Sequence, residues 1–527
     1  MTTIPNDTKA GVLENPYEVD AENEVPVYSE TKGTQSDQRD MYRMGKIQQL
    51  RRNFRFFTIF GFLMVLMATW EGQLTANIFG LINGGTGGLI WVYIGTFIGF
   101  FASVLSMAEM ASMAPTTGGQ YHWVSEFAPP NAQKFLSYIV GWLCVLGWQV
   151  GTAAVAFLAG QQIEGLIILN NDSYIPHRWH TTLLVIAIVT FSQLFNTFFA
   201  HQLPIVEAVI LILHIFGFFA FLIPLWVMGQ RGNAHEVFFT FTDGGGWGST
   251  GLSCLIGLLS PIFSFIGPDS ATHMSEELQD ASYTLPRAMI ATTLVNGAMG
   301  FVMIVTFCMT LGNVDTILST PTGQPFIQVV YNATKSKAGT SILTAILITL
   351  TTFGCVTNVA TASRQVWAFA RDQGLPFSTW LAHVRPGWDI PLNSILVSYL
   401  IAVLLSLINV GSSVAFNIIT SLGTGALLSS YIVSTSCMTI KRIRGERLLP
   451  TRFSLGRAGL AVNIFSVLFL CLALVMTFFP TSPKPDAAAM NWNILVYGAV
   501  ILFSVVYFIF RGRHRYVGPV EHTKKDI

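Results

Sequence analysis

Two acids stand inside otherwise apolar stretches of this 527-residue chain, and a histidine stands inside a third. Glu71 lies in Met67-Ala-Thr-Trp-Glu-Gly72 and Asp269 in Phe265-Ile-Gly-Pro-Asp269. Each falls roughly 15 residues into its run, near the middle of a bilayer at about 1.5 Å rise per helical residue. An ionisable group is costly at that depth, so it is expected to face a cavity or a partner. Each acid also adjoins glycine or proline, which predicts an interrupted helix. A helix broken at mid-depth turns free carbonyls toward a cation and the N–H groups of a new helix start toward an anion. Two such breaks, one in each half of a long apolar chain, are the pattern of a secondary transporter with its substrate between them.

At the first break, Gly72 is expected to release the backbone from the helical ladder. Glu71 beside it favours a cationic substrate, a proton or an internal basic partner; it reads equally as a structural acid bonded across the break. At the second, Pro268 has no N–H and Gly267 accepts unusual dihedrals. Asp269 then either faces the substrate or caps the half-helix that follows. Trp70, Phe263 and Phe265 are candidates to close the pocket, with cation–π contact or plain packing as alternatives. His214 can take up and release a proton near neutral pH, the property proton coupling needs, or serve as a neutral hydrogen-bonded residue. His273, Glu276 and Glu277 read as an ordinary helix end, with a gate or proton exit as the alternative. Thr351, Cys355, Asn358 and Gln365 form a polar stripe, with Thr361 beside it. Asn358 and Thr361 are the pathway candidates there, against a role in helix packing. Tyr121-His-Trp123 suits the headgroup zone. No metal-ligand cluster, nucleophile–base pair or nucleotide-binding glycine motif is present, so no enzyme, cofactor, metal site or nucleic-acid partner is expected.

The elements that position these residues follow from composition. The chain is 52% hydrophobic and only 11% charged, against about 25% charged in soluble domains. Apolar runs long enough to cross a bilayer are expected near 56–81, 88–112, 135–166, 181–199, 204–228, 250–274, 287–311, 340–364, 391–409, 414–439, 458–479 and 492–510. This is an all-α polytopic membrane protein with 12 transmembrane helices. Residues 1–50 read as a disordered cytosolic tail without the apolar region of a cleavable signal. The transport core is expected over 51–440, helices 11 and 12 over 441–512 and a C-terminal cytosolic tail over 513–527. About 24 of the 29 Lys and Arg residues fall inside if both termini are cytosolic. The sequons at Asn171 and Asn332 then lie outside, as candidate glycosylation sites, and that at Asn6 inside. The six cysteines all fall in spans, without CxxC spacing, and read as packing residues. The two breaks lie about 200 residues and five spans apart. That odd offset inverts the second unit, giving a five-plus-five inverted repeat with two extra helices.

Four segments carry a family resemblance: Met67-Ala-Thr-Trp-Glu71, Glu109-Met-Ala-Ser-Met-Ala-Pro-Thr-Thr-Gly-Gly-Gln-Tyr-His-Trp123, Gly267-Pro-Asp-Ser-Ala-Thr-His-Met-Ser-Glu-Glu277 and Ala362-Ser-Arg-Gln-Val-Trp-Ala-Phe-Ala-Arg-Asp-Gln-Gly-Leu-Pro376. Over roughly residues 45–515 the chain resembles the amino acid–polyamine–organocation superfamily, and within it the fungal amino acid, choline and gamma-aminobutyrate permeases. The resemblance implies the fold of the bacterial leucine transporter, alternating access, and uptake of an amino acid or small amine driven by protons or exchange. It implies substrate contacts from Thr69, Trp70, Glu71 and Gly72 and from Phe265, Ile266, Gly267, Pro268 and Asp269. It makes His214 the nearest match to a basic residue that replaces sodium in some proton-coupled relatives. Trp-Glu-Gly stands here where relatives carry Gly-x-Gly. A nutrient sensor of the same fold, or an exporter or exchanger of a specialised amine, is the alternative. The plasma membrane is the expected location and an internal membrane the second; Lys524-Lys-Asp-Ile527 resembles a dilysine retrieval signal.

Overall fold

The computed structural model describes residues 33–385, 387–412, 414–487 and 489–519. Twelve segments among them are long and apolar enough to cross a membrane. They are span 1 (Phe56–Thr75), span 2 (Ile78–Met113), span 3 (Gln133–Asn170), span 4 (Arg178–Phe198), span 5 (Ala200–Met228), span 6 (Thr250–His273), span 7 (Ala281–Thr310), span 8 (Lys337–Arg371), span 9 (Leu392–Gly411), span 10 (Ala415–Ile443), span 11 (Gly456–Met476) and span 12 (Asn493–Arg515). No strand occurs among the described residues; one isolated bridge pairs Phe54 with Leu278.

The expected spans stand close to these limits, with one difference of substance. Span 2 begins at Ile78 and passes through Gly85, which is not helical (φ 69°, ψ −167°). The glycine-rich run reads as a loop in the sequence. Here it lies against residues 240–244, whose backbone bonds Ile82, Gly84 and Gly87. Span 1 correspondingly ends at Thr75 instead of near 81.

Span 5 shows how sequence selects the faces. Ile205, Val209, Ile212, Phe216, Phe219, Ile223 and Val227 are exposed at spacings of three and four, a stripe toward lipid. Glu207, Ile210, His214, Gly217 and Phe221 repeat at the same spacing on the buried side. The polar groups of the span thereby face spans 1 and 8. Spans 1 and 6 are both broken and run in opposite directions, each opening one five-span unit. Span 11 packs on spans 2 and 10, and span 12 on spans 3 and 10.

Part of the expected N-terminal tail is ordered, which corrects its reading as disordered over 1–50. Gln35–Arg43 is a helix capped by Thr34. Asp37 is buried and accepts the backbone N–H groups of Asp280 (2.8 Å) and Ala281 (3.0 Å) at the start of span 7. Buried Arg52 donates to Asp37 at 3.2 Å and to the carbonyls of Ser275 (3.1 Å) and Leu278. Charges that read as a solvated tail therefore anchor the chain to the far end of span 6. At the other terminus, Tyr516 is buried with its hydroxyl 2.6 Å from Ser137 Oγ. Residues 1–32 and 520–527, including the Asn6 sequon and Lys524–Ile527, lie outside the described residues.

Arg52→Ala leaves Asp37 buried without its cation and costs about 3–5 kcal/mol of stability. Thermal unfolding in detergent is expected to show this loss, and Arg52→Ala combined with Asp37→Ala to cost less than the two separately. Strictly additive losses count against the pairing.

Candidate functional site

The first break sits at Ala68, whose backbone is left-handed (φ 42°, ψ 46°). A residue with a Cβ is strained there, by about 1–3 kcal/mol. It ends the helix Phe56–Met67 and starts Thr69–Thr75, taking the carbonyls of Val65, Leu66 and Met67 out of the ladder. The expectation of a break at Gly72 is corrected. Gly72 is helical, its N–H bonded to the Ala68 carbonyl at 2.8 Å. Its missing side chain has another use: a Cβ there would overlap the Ser264 side chain of span 6.

The second break follows the helix Leu259–Phe265. Ile266 is extended (φ −68°, ψ 144°) and Gly267 has φ 114°, a region open to glycine and costly for residues with a Cβ. Proline at 268 cannot donate to the Ser264 carbonyl four residues back. Thr69 Oγ1 donates to that carbonyl instead, at 2.8 Å. The two breaks are thus joined by a bond that satisfies the freed Ser264 carbonyl.

Between them lies a cavity of about 60 Å³. Glu71, Gly72, Phe263, Ile266 and Gly267 line it, with Asn358 and Thr351 of span 8. Sequence reasoning missed Trp148, Leu427 and Ser264, which also face it. Trp148 stands between Gly147 and Gly151, and the small-residue face of those glycines was the available signal. Drug-sized ligands occupy pockets of roughly 300–1,000 Å³, so the walls must separate to admit a substrate.

Five of the expected substrate contacts do not line this cavity. Thr69 is taken by the Ser264 carbonyl. Trp70 points to span 5, where it meets His214, Phe218 and Phe221 at centroid distances of 5.8, 6.0 and 5.8 Å. Phe265 packs on Tyr93, Phe97 and Phe100. Pro268 and Asp269 lie past the break, toward the N-terminal face. Thr361 is also absent from the lining: it is one turn beyond Asn358 and bonds the Thr357 carbonyl at 3.0 Å.

The two acids differ sharply. Asp269 is saturated: Gln120 Nε2 donates to Oδ2 at 2.6 Å, the Tyr431 hydroxyl donates to Oδ1, and His273 Nε2 is 3.6 Å from Oδ2. It begins the short helix Ser270–His273 without a side-chain capping bond. Glu71 instead meets His214, whose Nδ1 is 2.6 Å from Oε1, while Oε2 has no protein partner. His214 Nε2 is likewise unpartnered.

Toward the N-terminal face an ion-pair layer closes the molecule. Arg371 holds Glu276 through two bonds of 2.8 and 2.6 Å, Arg364 holds Glu277 at 2.9 Å, and Lys46 pairs with Asp372. Glu276 and Glu277 are buried, not an ordinary helix end. Burial pushes the carboxyls of Glu276 and Asp372 up. The cations around them, Arg371 foremost at the first and Lys46 foremost at the second, together outweigh it and hold both below the usual carboxylate range. Tyr121-His-Trp123 is also buried, correcting its placement among headgroups: Tyr121 donates to Asp372 at 3.0 Å and Trp123 to the Ala114 carbonyl at 3.0 Å.

A twelve-span helical chain with two opposed breaks around a cavity defines an integral, multi-pass membrane transport protein. The amino acid permease family profile matches residues 54–503, and the chain belongs to that family. A Macrophomina phaseolina protein, provisionally named an amino acid/polyamine transporter, is 33% identical over 82% of this chain and 96% of its own. The choline transporter of Saccharomyces cerevisiae is 29% identical over 89% and 83%, and amino-acid permease 2 of Neurospora crassa 27% over 94% and 91%. A crystal structure of a manganese transporter mutant from Eremococcus coleocola shares the fold, with a TM-score of 0.55 at 16% identity over 88% of this chain and 95% of that one.

Gly72→Ala is expected to destabilise the protein by about 1–3 kcal/mol, the usual range for overpacking. Ser264→Gly in the same chain should restore most of it. Melting temperatures of the wild type and the two variants check this; failure of the second change to rescue the first counts against the close approach.

Proposed function

We propose that this protein moves a small molecule with a cationic nitrogen, an amino acid or a related amine, across the membrane by alternating access coupled to a proton. One observation carries the reading: Glu71 faces the cavity with one carboxylate oxygen on His214 and the other unpartnered. A substrate ammonium or quaternary amine fits the open oxygen, with Trp148 and Phe263 offering aromatic faces in the same cavity. The His214–Glu71 pair shares the proton. A cation arriving at Glu71 competes with His214 for the same carboxylate, which links substrate binding to that pair. Asn358 supplies a side-chain amide to the same cavity, and Leu66 and Met67, whose carbonyls are freed at the first break, line it as well. The names of the relatives, covering amino acids, polyamine and choline, have the cationic nitrogen in common.

In this reading the ion-pair layer faces the cytosol, with both termini, and the membrane is the plasma membrane. Asn171 and Asn332 then face outside, and both are exposed. Asn171 sits in a turn, its Oδ1 accepting the Ser173 N–H at 3.1 Å, whereas Asn332 lies inside the helix Pro325–Thr334.

Uptake into liposomes under a proton gradient, screened over amino acids, choline and polyamines, tests the reading. Ligand binding without flux would favour the sensor alternative. Glu71→Gln is expected to weaken uptake of choline or polyamines on the order of 10–100-fold, since a hydrogen bond to a charged group contributes about 1.5–3 kcal/mol. Neutral zwitterions should lose less; equal loss for every substrate rejects charge selection. The chain made in a eukaryotic cell is expected to shift in an endoglycosidase digest, and Asn171→Gln to abolish the shift.

A further inference from the structure

Eight acids are buried among the described residues: Asp37, Glu71, Glu109, Glu207, Asp269, Glu276, Glu277 and Asp372. Seven have a basic partner, which is Arg52, His214, Arg442, His273, Arg371, Arg364 and Lys46 for Asp37, Glu71, Glu109, Asp269, Glu276, Glu277 and Asp372 respectively. Glu207 of span 5 has none. Its exposure is 0%, and its Oε2 has no hydrogen-bond partner. Span 5 packs against spans 1, 7 and 8 and the helix Pro325–Thr334, with Gly61 of span 1 lying on the Glu207 backbone. No charged or titratable group on these elements faces the carboxyl among the described residues; burial and the Thr357 hydroxyl are its surroundings. An isolated carboxylate in such a place is far costlier than a neutral acid.

The hydrogen-bond geometry fits the neutral acid. Thr357 Oγ1 lies 2.8 Å from Glu207 Oε1 and 2.8 Å from the carbonyl oxygen of Phe353. A hydroxyl has a single proton, and a carbonyl only accepts. Both bonds form together when Glu207 carries a proton and donates it to Thr357 Oγ1, while Thr357 donates to Phe353.

Glu207 also stands seven residues before His214, on the same face of span 5 and about 10 Å nearer the N-terminal face. We infer that Glu207 is a second proton station, loaded in this closed state, which passes the proton from the His214–Glu71 pair toward the N-terminal face. This rests on the coupled reading above and adds the exit side of the route. One proton binds at His214–Glu71 and one leaves from Glu207 when water enters its pocket. The carboxylate left behind then accepts a hydrogen bond from the Thr357 hydroxyl, and reprotonation from His214 through the entering water restores the loaded form. Thr357 directly precedes Asn358, which lines the cavity, so movement of span 8 on substrate binding reaches both.

The test uses the full chain in liposomes and nanodiscs. Glu207→Gln keeps the shape and hydrogen-bonding capacity of the neutral acid but cannot release a proton. Substrate accumulation by the wild type should rise about tenfold per pH unit of gradient for one coupled proton. In Glu207→Gln that response should flatten to near unity, while equilibrium substrate binding persists. A Glu207→Gln protein with the wild-type pH response overturns the assignment, as does wild-type accumulation that follows a sodium gradient instead. Infrared spectra of the wild type provide a readout independent of transport. A protonated-carboxyl C=O band is expected that is missing in Glu207→Gln and displaced in Thr357→Val; a spectrum without it overturns the loaded form. If the wild type carries no substrate at all, the proposed function fails, and the infrared band still decides the state of Glu207.

Discussion

The structure depends on a requirement of the membrane interior: a backbone group freed from a helix has no water to turn to and must find its partner within the protein. Spans 1 and 6 are each broken, and the first break supplies a donor that the second lacks. Pro268 leaves the Ser264 carbonyl without a donor, and the Thr69 hydroxyl provides one. The missing side chain of Gly72 lets the two half-helices approach closely enough for that bond. The cavity, with Glu71 in its wall, lies at this crossing.

Charge is distributed under the same requirement. Asp269 is filled by donors from the helix Gln120–Phe127 and from span 10, so it ties three elements together and has little left for a ligand. Glu71 has a single partner and an open oxygen. The two acids look equivalent in sequence, each beside a break at mid-depth. Their neighbours, up to 162 residues away in the chain, leave one with both oxygens bonded and the other with one oxygen open.

The spans were legible because the bilayer sets a length and hydrophobicity that local sequence must meet. Mid-depth breaks were legible because an acid beside a helix breaker is too costly to stand in an unbroken, lipid-facing helix. The residue at the first break was not: Ala68 carries no mark of a left-handed conformation, while nearby Gly72 does. Gly72 is instead a contact residue, a property visible only with Ser264 opposite it. Trp70 and Phe265 read as pocket walls because aromatic type does not reveal direction, and both turn toward neighbouring spans. Residues 33–50 read as tail because their charges suggest water, yet Asp37 is satisfied by Arg52 and the backbone of span 7. Glu207 draws no notice within an apolar run, since its significance is the lack of a cation around it.

The sequence by itself determined the all-helical membrane architecture, the number of spans and their inverted halves, and the presence of ionisable groups at mid-depth. These depend on hydropathy and spacing along the chain, which the bilayer reads locally. Only the tertiary structure decided which atoms of those groups are free, where the helices part and which faces line the cavity. Those outcomes depend on partners far apart in sequence, and the choice among them is made by packing and hydrogen-bond satisfaction.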